Sequence, residues 1–350
     1  LKIALITDTH FGARSNNDTF SEYFYKFYEE QFFPYLEKHN IKEIIHCGDL
    51  MDNRKNVNIN TLYEMRNRFL QPLEDMECVM HTVVGNHDTY FKSKVSINSV
   101  EELFDTHIET PIIAYSEPST FVFGDLPIDI IPWINDENEE KVLEFIKNSK
   151  STIAVGHFDL MGFEMYRGVT SRYHSRAIDF LKKYDMVFSG HYHHKSDNGQ
   201  VFYLGSPYEI NWADYDDPRG FHIFDTETLE LTFIQNSDRL HHKIFYDDSE
   251  DVTILDNINE YEDKIVKLVV IEKSDYQQYD NVIDELDNVS KELMIIEDFT
   301  LDDDEDDIIT TEDTLTALNN FVDSTELEKK DSDVVKKILQ ELYVEAINVA

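Results

Sequence analysis

Five short segments, Asp8-Thr9-His10, Gly48-Asp49-Leu50-Met51-Asp52, Gly85-Asn86-His87-Asp88, Gly156-His157 and Gly190-His191-Tyr192-His193, follow one another along the chain. Their carboxylates, amide and imidazoles are ligands for divalent cations of intermediate softness such as manganese, iron or zinc, whereas magnesium and calcium favour all-oxygen shells. The residues sort into two sites. Asp8, His10 and His193 complete one, Asn86, His157 and His191 the other, and Asp49 is the carboxylate assigned to bridge them. Two cations about 3.5–4 Å apart can generate a nucleophile near neutral pH and screen the oxygens of a phosphate ester. The leaving oxygen still needs a proton, and His87, between the ligand Asn86 and Asp88, is free to face it as general acid. Asp88 is expected to orient that ring and raise its pKa. Each fragment alone is weak, since an isolated Gly-His is usually an accident of sequence. Five in this order make the reading specific. The remaining histidines, His194 and His174 included, read as core or solvated side chains.

Each segment follows an apolar run, at 3–6, 44–47, 79–84, 152–155 and 186–188, so every ligand sits just past a predicted buried strand. Ligands at the ends of neighbouring strands can meet at one point. Helix-like stretches at 20–39, 59–76 and 137–147 alternate with the strands, which is an α/β pattern. Further strands are predicted at 121–123, 128–131, 201–204, 221–224 and 229–234, the last two joined by the hairpin-type connection Asp225-Thr226-Glu227-Thr228. Beyond residue 240 the pattern becomes strand 264–272, amphipathic helix 276–289 and strand 292–297. Six consecutive acidic residues, 302–307, read as a solvated linker. Two helical stretches follow, with Leu315, Leu318 and Phe321 on one and Val334, Val335, Ile338, Leu339, Leu342 and Tyr343 on the other. The expected organisation is therefore a main domain at 1–240, a small α+β domain at 241–299, an acidic linker at 300–311 and C-terminal helices at 312–350.

With 350 residues, 41% hydrophobic and 13% aromatic, the chain can bury a substantial core. Two cysteines, Cys47 and Cys78, both in or beside predicted strands, exclude a disulfide scaffold and fit a reducing compartment. No apolar stretch is long enough to span a membrane, and no cleavable leader is read at the start, so the expectation is a soluble, cytoplasmic protein. A net charge of −40 speaks against a nucleic-acid substrate, which is normally met by lysine and arginine. The distribution softens this. Residues 51–100 and 151–200, which hold much of the ligand set, carry no acidic excess, and bound cations would add positive charge there.

These segments resemble the signature of the calcineurin-like metallophosphoesterases. More narrowly, Asp8-Thr9-His10-Phe11-Gly12, Gly48 to Asp52 and Val83-Val84-Gly85-Asn86-His87-Asp88 resemble the SbcD-like recombination nucleases, most closely their T-even phage branch. The likeness continues through Ile131-Pro132-Trp133, Gly156-His157-Phe158, Asp216-Asp217-Pro218-Arg219-Gly220-Phe221 and Leu342-Tyr343-Val344-Glu345-Ala346. It implies a four-layer α/β/β/α sandwich with a small capping domain that helps select DNA, and C-terminal helices that bind an SbcC-like coiled-coil ATPase. It further implies a homodimer, two manganese ions, and double-strand exonuclease with single-strand endonuclease action in phage recombination, repair, replication and host DNA degradation. One departure stands out: many cellular SbcD-like members place a histidine near the scissile nucleotide where this chain has Asp52. A carboxylate there either sits beside the substrate or hydrogen-bonds the metal loop. Two other functions share the features above. A small-substrate phosphatase or cyclic-nucleotide phosphodiesterase uses the same metal core, and a non-catalytic scaffold keeps the fold to hold a partner.

Overall fold

The computed structural model describes residues 1–105, 110–171 and 176–297, with 335, 336 and 339. His174, the acidic linker and nearly all of the C-terminal helical stretches lie outside the described residues. By its contacts the chain divides into two units. One is formed by Leu1–His242, Asn259–Val266 and Val289–Glu292, and the other by Lys243–Ile258, Lys267–Asn288 and the residues from Leu293 onward.

Two six-stranded sheets build the first unit. One is ordered Leu231–Gln235, Gly220–Asp225, Lys2–Ile6, Glu43–His46, Val79–Val83, Ile112–Tyr115, the last four strands being mutually parallel. The other is ordered Ser196–Asp197, Val201–Tyr203, Met186–Gly190, Ile153–His157, Leu126–Ile131, Ser119–Phe123, with its central four parallel. Alternation along the strands assigns the layers. Ile3 and Leu5 pack with Ile130, Ile153, Val155 and Phe188 in a core between the sheets. Ala4 and Ile6 point the other way, into a core with Phe24, Phe27, Phe32 and Phe69. Ala154 and Val187, from the second sheet, face Val142, Ile146 and Leu181. The result is helix, sheet, sheet, helix: the four layers expected.

The helices over the first sheet are capped as their sequence suggests. Asn17 Oδ1 accepts from the Thr19 and Phe20 amides at 2.9 and 3.4 Å, and Asn58 Oδ1 from the Asn60 and Thr61 amides at 2.8 and 3.3 Å. Each helix then contains one wide π turn, Tyr28–Phe32 and Arg66–Leu70, which periodicity did not reveal. In each, the second residue of the segment that follows is a proline, Pro34 or Pro72. Proline's missing N–H and bulky ring fit an unbroken α-helix poorly, and a wide turn relieves the conflict without ending the helix.

Strands His241–Asp247, Ile265–Glu272 and Glu292–Glu297 form a three-stranded sheet in that order, the first strand being one that the sequence reading did not include. The helix Tyr276–Val289 buries Tyr279, Val282 and Leu286, at helical spacing.

In parallel strands the C-terminal ends share an edge, and here the two edges meet because one position lacks a side chain. A Cβ on Gly190 would stand 2.0 Å from Thr7 Oγ1, 2.7 Å from the Cys47 carbonyl and 2.9 Å from Asp8 Oδ2. Gly190→Ala is therefore expected to lower stability by about 1–3 kcal/mol in urea unfolding, as overpacking of a tight junction does. An unchanged unfolding midpoint would show that the junction has slack.

Candidate metal centre

The centre assembles where those strand ends meet. Asp8 and His10 follow Lys2–Ile6, Asp49 follows Glu43–His46, Asn86 follows Val79–Val83, His157 ends Ile153–His157, and His191 and His193 follow Met186–Gly190. Asp8, His10, Asp49, Asn86 and His157 are buried, while His191, His193 and His87 are partly buried. Asp8, His10, Asp49 and His191 all have left-handed backbones, with φ of 51, 45, 56 and 91°. Side chains bearing a Cβ rarely adopt this region, at a cost of about 1–3 kcal/mol each, and it recurs at functional sites.

The loops are tied to one another across the two sheets. Both carboxylate oxygens of Asp8 accept from the His191 amide at 3.1 Å, and the Cys47 carbonyl accepts from His157 Nδ1 at 2.8 Å. With Nδ1 so engaged, His157 turns Nε2 inward, 2.9 Å from Asn86 Oδ1 and 3.2 Å from Asp49 Oδ2. Asn86 Oδ1 also lies 2.8 Å from His191 Nδ1, and His10 Nε2 lies 3.1 Å from His193 Nε2. Asp49 Oδ2 is 3.9 Å from His10 Nε2, so one oxygen stands between the two groups.

These separations suit a divalent cation. Adjacent ligands of an octahedron with arms of about 2.1 Å are about 3.0 Å apart, near the spacings within each group. Ligand atoms of Asp8, His10 and His193 lie within 4.8 Å of one another, as do those of Asp49, His157 and His191, and those of His10, Asp52 and His87. Two imidazole nitrogens face each other at His10 and His193, and the Nδ1 atoms of both rings are buried with no hydrogen-bond partner among the described residues. A cation shared by the facing nitrogens would satisfy both.

Residues 1–195 match the family model described as calcineurin-like phosphoesterase. The chain belongs to the calcineurin-like phosphoesterases. Exonuclease subunit 1 of Enterobacteria phage T4 is 31% identical over 349 residues, 99% of this chain and 99% of that one. The SbcD component of the SbcCD nuclease of Staphylococcus epidermidis is 24% identical over 280 residues, 72% of this chain and 74% of that one. Among solved structures, an archaeal phosphodiesterase covers 67% of this chain and 100% of its own at 17% identity, with a TM-score of 0.32, a likeness too slight to bear on the fold. Phosphoesterases of this family use divalent metals, and this one is accordingly a metal-dependent phosphodiester-cleaving enzyme. None of its helices, among the described residues, is long and apolar enough to cross a membrane.

The phosphoesterase corrects one expectation about its own site. Asp88 does not orient His87: its Oδ2 accepts from the Asp49 and Gly85 amides at 3.0 and 2.9 Å, and its Oδ1 from the Met51 amide at 3.0 Å. Short backbone bonds hold it to the ligand loops instead. His87 Nδ1 donates to the Asp52 carbonyl at 2.7 Å, and burial holds its imidazole below the ordinary range instead of raising it. Two arginines add what sequence reasoning missed. Buried Arg219 donates to the His193 carbonyl, to Ser206 Oγ at 2.8 Å, to Asp214 Oδ1 at 2.8 Å and to Asp217 Oδ2 at 2.7 Å, fixing the loop that carries His193. Only the Asp-Asp-Pro-Arg string hinted at it. Arg54 is partly buried, feels the charges of Asp49 and Asp88, and makes no hydrogen bond or ion pair among the described residues. Trp133 stands against the ligands, its ring 5.2 Å from that of His191. His194, read as no ligand, pairs with Asp217 at 2.9 Å and Glu164 at 3.3 Å.

Without a cation the ligands share protons. Burial raises Asp8 to about 6, with Asp49's charge adding to it. Burial would also raise Asp49, but His157, His87 and His10 hold it well below the carboxylate range. Burial disfavours charge on His10 and His157, yet the carboxylates of Asp52, Asp49 and Asp8 push His10 up to about 9, and Asp49 and Asp8 do the same for His157. Burial and the neighbouring His157 lower His191 to about 4. At pH 7 His10 and His157 thus carry protons that a cation must displace. Mn2+ affinity is expected to rise from pH 6 to 9, by roughly tenfold per unit for each proton displaced, and then to level off. Calorimetric titration in buffers of different ionisation enthalpy checks this, and pH-independent affinity without proton release would contradict it.

Proposed function

We propose that this phosphoesterase is a manganese-dependent DNA nuclease, acting on double-stranded ends and single strands, and the nuclease subunit of a complex with an SbcC-like coiled-coil ATPase. The observation that carries this reading is the extent of the likeness to the phage exonuclease subunit, 99% of both chains, together with a complete ligand set. Asp8, His10 and His193 would hold one metal and Asn86, His157 and His191 the other, with Asp49 touching both. Two cations held there would supply a nucleophile near neutral pH and screen the phosphate oxygens.

His87 then serves the leaving oxygen. Its Nδ1–H is committed to the Asp52 carbonyl, which leaves Nε2 as the atom that faces substrate. Because burial keeps the free ring neutral, the proton is taken up with the phosphodiester, whose negative charge favours the imidazolium. Arg54, half sunk beside the carboxylates and without a partner among the described residues, is suited to meet a phosphate. Such local positive charge, with the neutral balance of 51–100 and 151–200, reconciles a chain of −40 with an anionic substrate. Residues 241–299 are assigned to DNA selection and 312–350 to the ATPase, with two copies of the chain in the complex. Phage recombination, repair, replication and host DNA degradation, in the host cytoplasm, are the corresponding setting.

A panel of linear duplex, single-stranded DNA and a chromogenic phosphodiester, each with Mn2+ and with and without the ATPase, tests the proposal. DNA is expected to be cleaved, and His87→Ala to lose about 10²–10⁴-fold in rate with Mn2+ binding retained. Robust turnover of the small ester with DNA left intact would favour a small-substrate phosphatase. Unchanged cleavage by His87→Ala would remove His87 from the mechanism.

A further inference from the structure

Asp52 stands between two imidazoles that come from different loops. Its carboxylate Oδ1 lies 3.2 Å from His10 Nδ1, and its main-chain carbonyl accepts from His87 Nδ1 at 2.7 Å. The rings of His10 and His87 approach edge-on, with centroids 4.9 Å apart. The backbone fixes this arrangement. The loops 8–11 and 48–52 run side by side, with the Asp8, His10 and Phe11 amides donating to the Gly48, Asp49 and Leu50 carbonyls, and the Asp52 amide to the Phe11 carbonyl at 3.1 Å. Phe11 and Met51 continue the pairing as an isolated parallel bridge.

The orientation of His10 follows. With Nδ1 on the side of the Asp52 carboxylate, a close charge contact that lacks hydrogen-bond geometry, its Nε2 is left on the side of His193 Nε2 and Asp49 Oδ2. A carboxylate behind an imidazole whose far nitrogen faces a cation fixes the tautomer and strengthens the ligand, and removing such a partner commonly costs 10–100-fold in metal affinity. His87 is fixed by a hydrogen bond to a carbonyl, which leaves its Nε2 without a hydrogen bond among the described residues.

We propose that Asp52 is a positioning residue that sets the metal ligand His10 through its side chain and the proton donor His87 through its main chain. The proposal rests on the functional reading above for the role of His87 but not for that of His10. The division between side chain and main chain makes it separable: substitution removes the hold on His10 and keeps the hold on His87.

Asp52→Asn and Asp52→Ala, with wild type, are titrated with Mn2+ by calorimetry, and their cleavage is measured over a range of Mn2+. The expected result is about 10–100-fold weaker binding in one class of site, with the other unchanged. The Mn2+ concentration for half-maximal cleavage rises in parallel, and the rate at saturating Mn2+ falls far less than in His87→Ala. Asp52→Asn, which keeps shape and an acceptor oxygen, should lose less than Asp52→Ala. Thermal unfolding of the metal-free proteins establishes that both variants are folded, and Asp52→Asn carries the test if Asp52→Ala is not. Unchanged Mn2+ affinity would overturn the proposal. So would unchanged affinity with a collapse of the saturated rate, which would place Asp52 against the substrate. If wild type binds Mn2+ but cleaves no DNA, the nuclease reading fails, while the binding comparison still decides the role of Asp52.

Discussion

The centre depends on one buried carboxylate, Asp49, held where the C-terminal strand ends of two stacked sheets converge. Its Oδ2 lies between His157 and His10, and its Oδ1 accepts from the His87 amide at 2.7 Å. An isolated anion so deep would cost several kcal/mol. Imidazoles and an amide surround this one instead, so the charge that attracts a cation is already satisfied in the fold. The amide of Asp49 is in turn bound by Asp88, so the residue is fixed at both ends. Gly85 must lack a side chain for this to happen, since a Cβ there would fall 2.3 Å from both the Asp49 amide nitrogen and Oδ1.

Placing ligands at strand ends also requires the chain to turn sharply. Four of the candidate ligand residues accept left-handed backbones to do so. Their strain persists because the turns are determined from several directions: amide-to-carbonyl bonds between the 8–11 and 48–52 loops, Asp8 on the His191 amide, Arg219 on the His193 carbonyl, and Tyr208 donating to the Thr9 carbonyl at 2.6 Å. Tyr208 itself stacks on Phe24 at 3.9 Å in the aromatic core beneath the first sheet. Packing energy far from the candidate metal centre thus holds the geometry of its side chains.

Much of this was legible in the sequence, for reasons that can be named. Ile3, Leu5, Ala4 and Ile6 announce a strand buried on both faces, and the ligand strings just past such runs mark the strand ends. Local signals of that kind survive in one dimension. What did not survive are choices made by contacts far apart in sequence. Asp88 looked like a partner for its neighbour His87, but the amides of Asp49 and Met51, about forty residues upstream, take its oxygens. Arg219 meets His193 only once the strands are stacked. The π turns before Pro34 and Pro72 resolve a local conflict inside stretches that read, by periodicity, as continuous helices. Strand His241–Asp247 pairs with Ile265–Glu272 across an intervening segment, and its His-His-Lys start concealed it.

The most direct test of a shared carboxylate is anomalous diffraction at the manganese edge from crystals of the full chain grown with Mn2+. Two peaks about 3.5–4 Å apart are expected, with Asp49 bonded to both and Asp8, His10 and His193 divided from Asn86, His157 and His191. A single peak, or two peaks with Asp49 bonded to neither, would contradict the account.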